Sequence, residues 1–417
     1  MNTSHSLNGK TVLHVLDRSI PNLSGYSIRS KYIVDFQARN GLSPLVATTP
    51  KYERTVAHEK INGVEYHRSY EKPGKIMRIL QKIPFLREQC MMLQVEKRIE
   101  ELVQTRQVDI IHAHSPSLCG LPALKVARRM NKPMVYEVRA FWEDAAVDRK
   151  RFAENSLKYR ISGKIEQKLF DQADCVVCIC EGLRKEIAER RSKPGLSIVP
   201  NGVDASVFIP LAKSQKLIAK YHLQGKVVIG FIGSFFTFEG LADLIQCIPK
   251  VSHGQRDVAF LLVGTGVEDQ NLRNLAEKLE LDGRTVIFTG RVPHEDVPEY
   301  YSIIDILVYP RISKRITELV TPLKPLEAMA MEKAVLVSDV GGLKELVSDG
   351  QNGFVFKAGD INDLADKLIY LASHLGRCRE IGRQARKDVI AKRDWSVVVQ
   401  GYFEIYAGLL NGKTQAQ

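Results

Sequence analysis

A chain of 417 residues exceeds what one ordinary hydrophobic core supports and suits two domains of roughly 200 residues each. Hydrophobic content of 44% and charged content of 26% exclude a disordered or fibrous chain, and seven scattered cysteines exclude a disulfide scaffold. A net charge of +12 favours anionic partners: nucleotide phosphates, a lipid pyrophosphate or an acidic membrane surface.

From the N-terminus, "MNTSHSLNGKTVLHVLD" carries no charged-then-apolar leader pattern. No apolar run reaches the ~18 residues a membrane span needs. The expected location is therefore the cytoplasm, and the basic balance is compatible with peripheral contact at the inner face of the cytoplasmic membrane. Short apolar runs then alternate with amphipathic stretches, the pattern of a βαβ parallel sheet. Strands are predicted over 11–17, 43–49, 63–69, 108–114, 133–139, 175–180 and 196–204. The pattern restarts with strands over 226–234, 258–266, 285–292, 306–310, 334–342 and 353–356, and helices over 240–253, 268–280 and 323–332 lie between them. The fold class is thus α/β, with two Rossmann-like doubly wound domains. The punctuation Lys193-Pro194-Gly195 sets the expected boundaries at 1–193 and 194–385, followed by a C-terminal helical segment over 386–417. In that segment Trp395, Val398, Tyr402 and Tyr406 fall on one helical face, which is expected to pack back on the first domain.

Two stretches invite functional readings. Residues 72–106 interleave bases with Ile, Met, Leu and Phe; this reads as a helix pair packing on a sheet or as an amphipathic segment touching lipid. Cys175, Cys178 and Cys180 alternate with Val and Ile as in a buried strand, without a second ligand cluster at zinc spacing, so they read as core thiols.

The strongest chemical signal is "YPRISKRITELVTPLKPLEAMA" (309–330). A strand ends at Pro310, with Arg311, Lys314 and Arg315 just beyond it; Thr321-Pro322 then leads into a helix carrying Lys324 and Glu327. Ligands of open parallel sheets bind beyond the carboxyl ends of strands, where a helix N-terminus offers amide N–H groups to phosphate. A carboxylate one turn into that helix can accept both hydroxyls of a ribose, while Lys and Arg neutralise a diphosphate.

This run, with "KAVLVSDVGGLKELVSDGQNGFVF" (333–356), "VPNGVD" (199–204), "LLVGTG" (261–266) and "FTGRVPHEDVPEYYSIIDILVYP" (288–310), resembles the donor-binding signature of family-4 retaining glycosyltransferases of the GT-B fold. In the first half "VDIIHAHSP" and "SGYSIRS" resemble that family's donor-facing loops, and "YEVRAFWEDAAVDR" (136–149) resembles a bacterial subgroup associated with PEP-CTERM/exosortase systems and exopolysaccharide clusters. The resemblance implies two Rossmann-like domains facing across a cleft and transfer of a sugar, with retention, from a UDP- or GDP-linked donor to an acceptor hydroxyl. It assigns the ribose to Glu327, backbone contact with the nucleobase to Arg291 and Val292, and close approach of the diphosphate to Gly25. Thr321, opening the signature helix, joins the donor contacts. His114 would face the transferred sugar as a catalytic group. Arg139 and Trp142, with Phe141, would line the acceptor side.

Two positions depart from the family pattern. An Arg and a Lys commonly follow the first strand of the second domain, whereas "GFIGSFFTFEG" carries Ser234 and Glu239 at those places. A carboxylate cannot neutralise phosphate, so the catalytic cation role is expected to pass to Arg315 and Lys324, with Arg311 in reserve. Glu318 precedes Glu327 by nine positions and not the usual eight, which weakens its assignment to a sugar hydroxyl. No Asp-x-Asp occurs, and no essential metal or other cofactor is expected. The expected partners are the nucleotide-sugar donor and a lipid-linked oligosaccharide acceptor; the basic residues form no recognised nucleic-acid module. A sugar-nucleotide epimerase and a nucleotide-sugar-binding scaffold without turnover share these residues as rival readings.

Overall fold

The computed structural model describes residues 7–22, 24–51, 56–69, 83–144, 153, 156–254 and 257–414. The chain forms two compact units, one of residues 1–200 with 395–417 and the other of 201–394.

The first unit holds an eight-stranded sheet: β1 (Thr11–Leu16), β2 (Ser43–Thr48), β3 (His58–Ile61), β4 (Val64–Arg68), β5 (Ile110–His114), β6 (Met134–Val138), β7 (Cys175–Cys178) and β8 (Leu196–Ile198). Their spatial order is β3-β4-β2-β1-β5-β6-β7-β8, parallel except for the β3–β4 hairpin. Strands such as IIHAH and MVYEV are buried along their whole length, as a sheet covered on both faces requires. β3 was not predicted; its HEKI sequence is an edge strand with alternating exposed positions, too short and charged to show an apolar period.

Val12, Ile110, Val135, Cys175 and Val177 present one sheet face to Trp395, Val398, Tyr402, Phe403 and Tyr406 of the two C-terminal helices, Trp395–Val398 and Gln400–Thr414. Because β8 bonds into this sheet, the unit runs to Pro200, past the boundary expected at 193. Helix Leu375–Arg393 buries Cys378, Ile381, Ala385 and Val389 in the second unit's core, so the returning segment starts at Trp395 and not at 386.

Helix Pro84–Thr105 buries Cys90, Met91, Val95, Ile99, Leu102 and Val103 and packs on helix Ser117–Arg129. Residues 72–82 of the stretch read above as amphipathic lie outside the described residues. Among those described, no helix is long and apolar enough to cross a membrane. All seven cysteines are buried and unbridged, with burial pushing the Cys175 and Cys178 thiols up to about 11 and about 12.

The second unit holds six parallel strands: β9 (Val227–Ile232), β10 (Val258–Val263), β11 (Val286–Gly290), β12 (Ile306–Tyr309), β13 (Ala334–Ser338) and β14 (Phe354–Phe356). Their order, β11-β10-β9-β12-β13-β14, reverses direction between β9 and β12. That reversal leaves a crevice beyond the carboxyl ends of these two strands, the place where doubly wound sheets take ligands.

Candidate functional site

At the reversal in the second unit, β9 runs into Gly233 and the 3-10 turn Thr237–Glu239, and β12 runs into Arg311 and on to helix Lys324–Ala330. Glu239 is buried at 2% exposure. Its carboxylate accepts from Arg311 Nε at 3.3 Å and Nη2 at 3.2 Å, and from Lys324 Nζ at 2.7 Å. Burial alone would raise its pKa, but the Arg311 and Lys324 cations outweigh this and hold it at about 2. Glu239 therefore stays ionised and ties two cations to one anion.

Lys324 lies under the Phe231 ring, 4.6 Å from its centroid, and its side chain keeps 21% exposure. An ammonium has three donors, so one bond to Glu239 leaves others for a ligand. Burial lowers the Lys324 pKa, opposed by Glu239. The side chain reaches this place because residue 233 is glycine. A Cβ there would stand 2.3 Å from Lys324 Cε and 2.7 Å from Nζ, and the backbone has φ of +148°, which side-chain-bearing residues rarely adopt.

Glu327, one turn further along the helix, is partly exposed. Tyr301 donates its hydroxyl to Glu327 Oε2 at 3.1 Å, and Tyr309 donates to the Lys324 carbonyl at 3.0 Å, so two buried tyrosines fix this helix end. Burial raises the Glu327 pKa to about 7, against the opposing pull of Tyr301 and Lys324.

The other expected donor residues are placed differently. Thr321 is buried, and Asn201 Nδ2 donates to its carbonyl at 2.8 Å, which ties it to the loop after Pro200. Glu318 accepts from Ser313 Oγ at 2.6 Å and from the Gly341 amide at 2.7 Å. It thus serves the N-terminus of helix Gly341–Lys344. Arg315 is exposed at the start of helix Arg315–Leu319, and Arg311 is committed to Glu239. Of the cations expected at the diphosphate, Lys324 shares its helix with Glu327 and lies against Gly233. Arg291 is exposed and Val292 half-buried just beyond β11.

The first unit has its own reversal, between β1 and β5. Gly25 is exposed there in the first turn of helix Gly25–Arg39, whose start is closed by a Ser24–Ser27 capping box. Beneath it lies a buried polar network. His114 Nε2 meets His14 Nδ1 at 2.9 Å, and Arg139 Nη2 approaches His114 Nδ1 at 2.6 Å. Glu137 accepts from Arg139 Nε at 2.7 Å, Arg29 Nε at 3.1 Å and the Tyr402 hydroxyl. His112 Nδ1 pairs with the Tyr406 hydroxyl at 2.7 Å.

Burial lowers the pKa of His14 to about 3 and that of His114 well below its usual range; burial would raise Glu137, but Arg29 and Arg139 hold it far down. Both ring nitrogens of His114 are thus engaged within this network, and burial favours its neutral ring. Arg139 likewise spends its donors on Glu137, His114, the Tyr26 carbonyl and Ser30 Oγ. Trp142 is half-buried, with Lys51 Nζ over its ring at 5.5 Å, and Phe141 is buried. Residues 145–149 of the subgroup-like run lie outside the described residues.

Gly233, Glu239 and Tyr301 were missed as site residues. The available signal was the charge reversal at Glu239, because a buried carboxylate requires a cation from elsewhere in the chain.

Comparison with known proteins agrees with this architecture. Residues 25–207 match the family model described as Glycosyltransferase Family 4, and residues 213–388 match that described as Glycosyl transferases group 1. A GDP-mannose-dependent alpha-mannosyltransferase of Mycolicibacterium smegmatis is 24% identical over 402 residues, covering 94% of this chain and 97% of its own. Among solved structures, sucrose-phosphate synthase from Thermosynechococcus elongatus superposes with a TM-score of 0.78 at 18% identity, over 97% of this chain and 100% of the other. Anabaena HepE in complex with UDP and glucose gives 0.71 at 17% identity, over 95% and 99%. With one family model on each half and GT-B enzymes as structural neighbours along nearly its whole length, the chain belongs to the family-4 glycosyltransferases of the GT-B fold.

Proposed function

We propose that the second unit binds a nucleoside-diphosphate sugar and that the protein transfers the sugar, a hexose, to an acceptor hydroxyl with retention and without an essential metal. The carrying observation is the pairing of Lys324 and Glu327 on one helix end beside Gly233, with Glu239 anchoring the ammonium. Glu327 accepts the two ribose hydroxyls. Lys324 receives the diphosphate, and the backbone at Arg291 and Val292 faces the base. As the bond from C1 to the phosphate oxygen breaks, negative charge gathers on the diphosphate beside a fixed cation, a preorganised field of the kind that often dominates catalysis. The acceptor oxygen bonds to C1 on the same face, and its proton leaves on the departing phosphate. The absence of Asp-x-Asp from the sequence supports charge neutralisation by Lys and helix dipoles.

The donor class rests on the relatives: one acts with GDP-mannose, and another was solved with UDP and glucose. The net charge of +12 supports a lipid-linked oligosaccharide acceptor at the inner membrane face, as in exopolysaccharide assembly. A thermal-shift panel of UDP-, GDP- and ADP-sugars identifies the donor, since a ligand of the folded state raises Tm. Slow release of free sugar from that donor, abolished in Glu327→Ala, supports the transferase. Binding without release in the presence of any acceptor supports the scaffold reading instead, and a released sugar of inverted configuration overturns retention.

A further inference from the structure

The β3–β4 hairpin at the sheet edge of the first unit brings together side chains that the transfer reaction does not use. Its turn is Asn62-Gly63, with φ of +52° and +86°, the left-handed pair that closes a tight two-residue hairpin. That turn sets a register in which His58 stands opposite His67 and Lys60 opposite Glu65. Positions 65 and 67 lie two apart on one strand, so Glu65, His67 and the cross-strand His58 share one face.

His58 Nε2 and His67 Nε2 each stand 3.5 Å from the same oxygen, Glu65 Oε2. The three ligand atoms all lie within 4.8 Å of one another. Tetrahedral zinc with bonds of about 2.0–2.1 Å separates its ligand atoms by about 3.3–3.4 Å, so two of the three edges are already near that length. His67 is 7% exposed, and its Nε2 has no hydrogen-bond partner among the described residues. A buried imidazole nitrogen standing 3.5 Å from a carboxylate oxygen is poorly satisfied, and a cation bonded to both atoms would satisfy it. We propose that His58, Glu65 and His67 form a zinc site that clips the edge hairpin, with water completing the tetrahedron on the side where His58 is exposed.

The surroundings bound its strength. Arg106 Nη2 reaches Glu65 Oε2 at 3.1 Å and would move to the other carboxylate oxygen, while Arg98 and Lys60 add further positive charge nearby. Three ligands under this repulsion suit micromolar affinity. The histidine trio His14, His112 and His114 is equally compact but differs in kind: its rings already bond to each other, to Arg139 and to Tyr406, and two guanidiniums sit against it. A clip at β3–β4 would blunt an edge strand and take no part in sugar transfer.

The test uses the full chain without an affinity tag, titrated with Zn²⁺ against a competing chromophoric chelator, which reads both stoichiometry and affinity. One zinc per chain is expected, with at least tenfold weaker binding in His58→Ala and in Glu65→Gln and unchanged binding in the exposed-histidine control His253→Ala. Zinc should raise Tm in the parent and not in His58→Ala, and Co²⁺ should give the visible absorption of four-coordinate cobalt. A parent chain that takes no zinc in the titration, or a His58→Ala chain that binds it undiminished, overturns the proposal.

Discussion

Replacing Lys324 by Met separates what this lysine does for the reaction from what it does for the fold. Methionine keeps the length of the stem against Phe231 and removes only the ammonium. On the stability side, Glu239 keeps Arg311 on both oxygens, at 3.3 and 3.2 Å, so it is not left an uncompensated buried charge. Lys324 itself is held below its usual pKa by burial, so its charge is a net cost to the folded state that the variant relieves. These effects oppose each other, and the balance should fall within about 1 kcal/mol, or roughly 2–4 °C in Tm for a unit of this size. On the reaction side, nothing replaces the cation beside the departing diphosphate. Loss of one preorganised charge of this kind costs about 10²–10³-fold in kcat, or about 2.7–4 kcal/mol. Steady-state transfer with the donor found in the panel, alongside melting curves, measures both. The contrast is Arg311→Met, which leaves Glu239 with one bond and should destabilise by about 3–5 kcal/mol. A Lys324→Met enzyme turning over within threefold of the parent, or losing activity only as its melting temperature falls, refutes the assignment.

Other outcomes follow from the same geometry. With Glu327 titrating at about 7, its ribose-binding carboxylate forms as pH rises, so donor Kd should fall by up to about tenfold per unit towards pH 7 and level off above it. The raised pKa also means that protonated Glu327 contributes stability fully present below 4.5 and lost as pH passes about 7; Glu327→Gln should flatten both trends, and a parent Kd independent of pH from 5.5 to 7.5 counts against the role. Gly233→Ala puts a methyl within 2.3 Å of Lys324 Cε, and the flexible lysine yields first, so donor affinity and kcat should both drop, as titration calorimetry and rates will show. Tyr402→Phe deprives Glu137 of a donor and Arg29 of an acceptor in the first unit's interior and should cost about 1–3 kcal/mol in denaturant unfolding.

Much of the fold was legible because a doubly wound sheet is written locally. Strands buried on both faces read as unbroken Val/Ile runs, and VAFLLV or AVLVS announce themselves within six residues. β3 escaped because an edge strand needs no apolar period, yet its Asn-Gly turn was visible in the sequence. The domain boundary slipped by a few residues because β8 is only three residues long and helix Leu375–Arg393 is basic, so neither shows which core it serves.

The site divides along the same line. Lys324 and Glu327 were legible because they occupy one short helix, where spacing alone puts them at the same end. Glu239 sits 85 positions from Lys324 and Tyr301 sits 26 from Glu327; local pattern carries no information about such pairs. The partners of His114 were hidden for the same reason, since His14 lies on β1, Glu137 on β6 and Arg139 just beyond it. At position 239, however, chain pattern and physics could have met without coordinates. A carboxylate where the resemblance to the family implies a cation looks like a lost phosphate site. Inside a protein, though, that carboxylate persists only by recruiting cations, and here it recruits two and remains ionised down to about pH 2. In the proposed reaction the cation near the carboxyl end of β9 is Lys324, delivered by the helix that also carries Glu327. The proposed diphosphate and ribose contacts would thus share one rigid element, so displacing that helix should weaken both together.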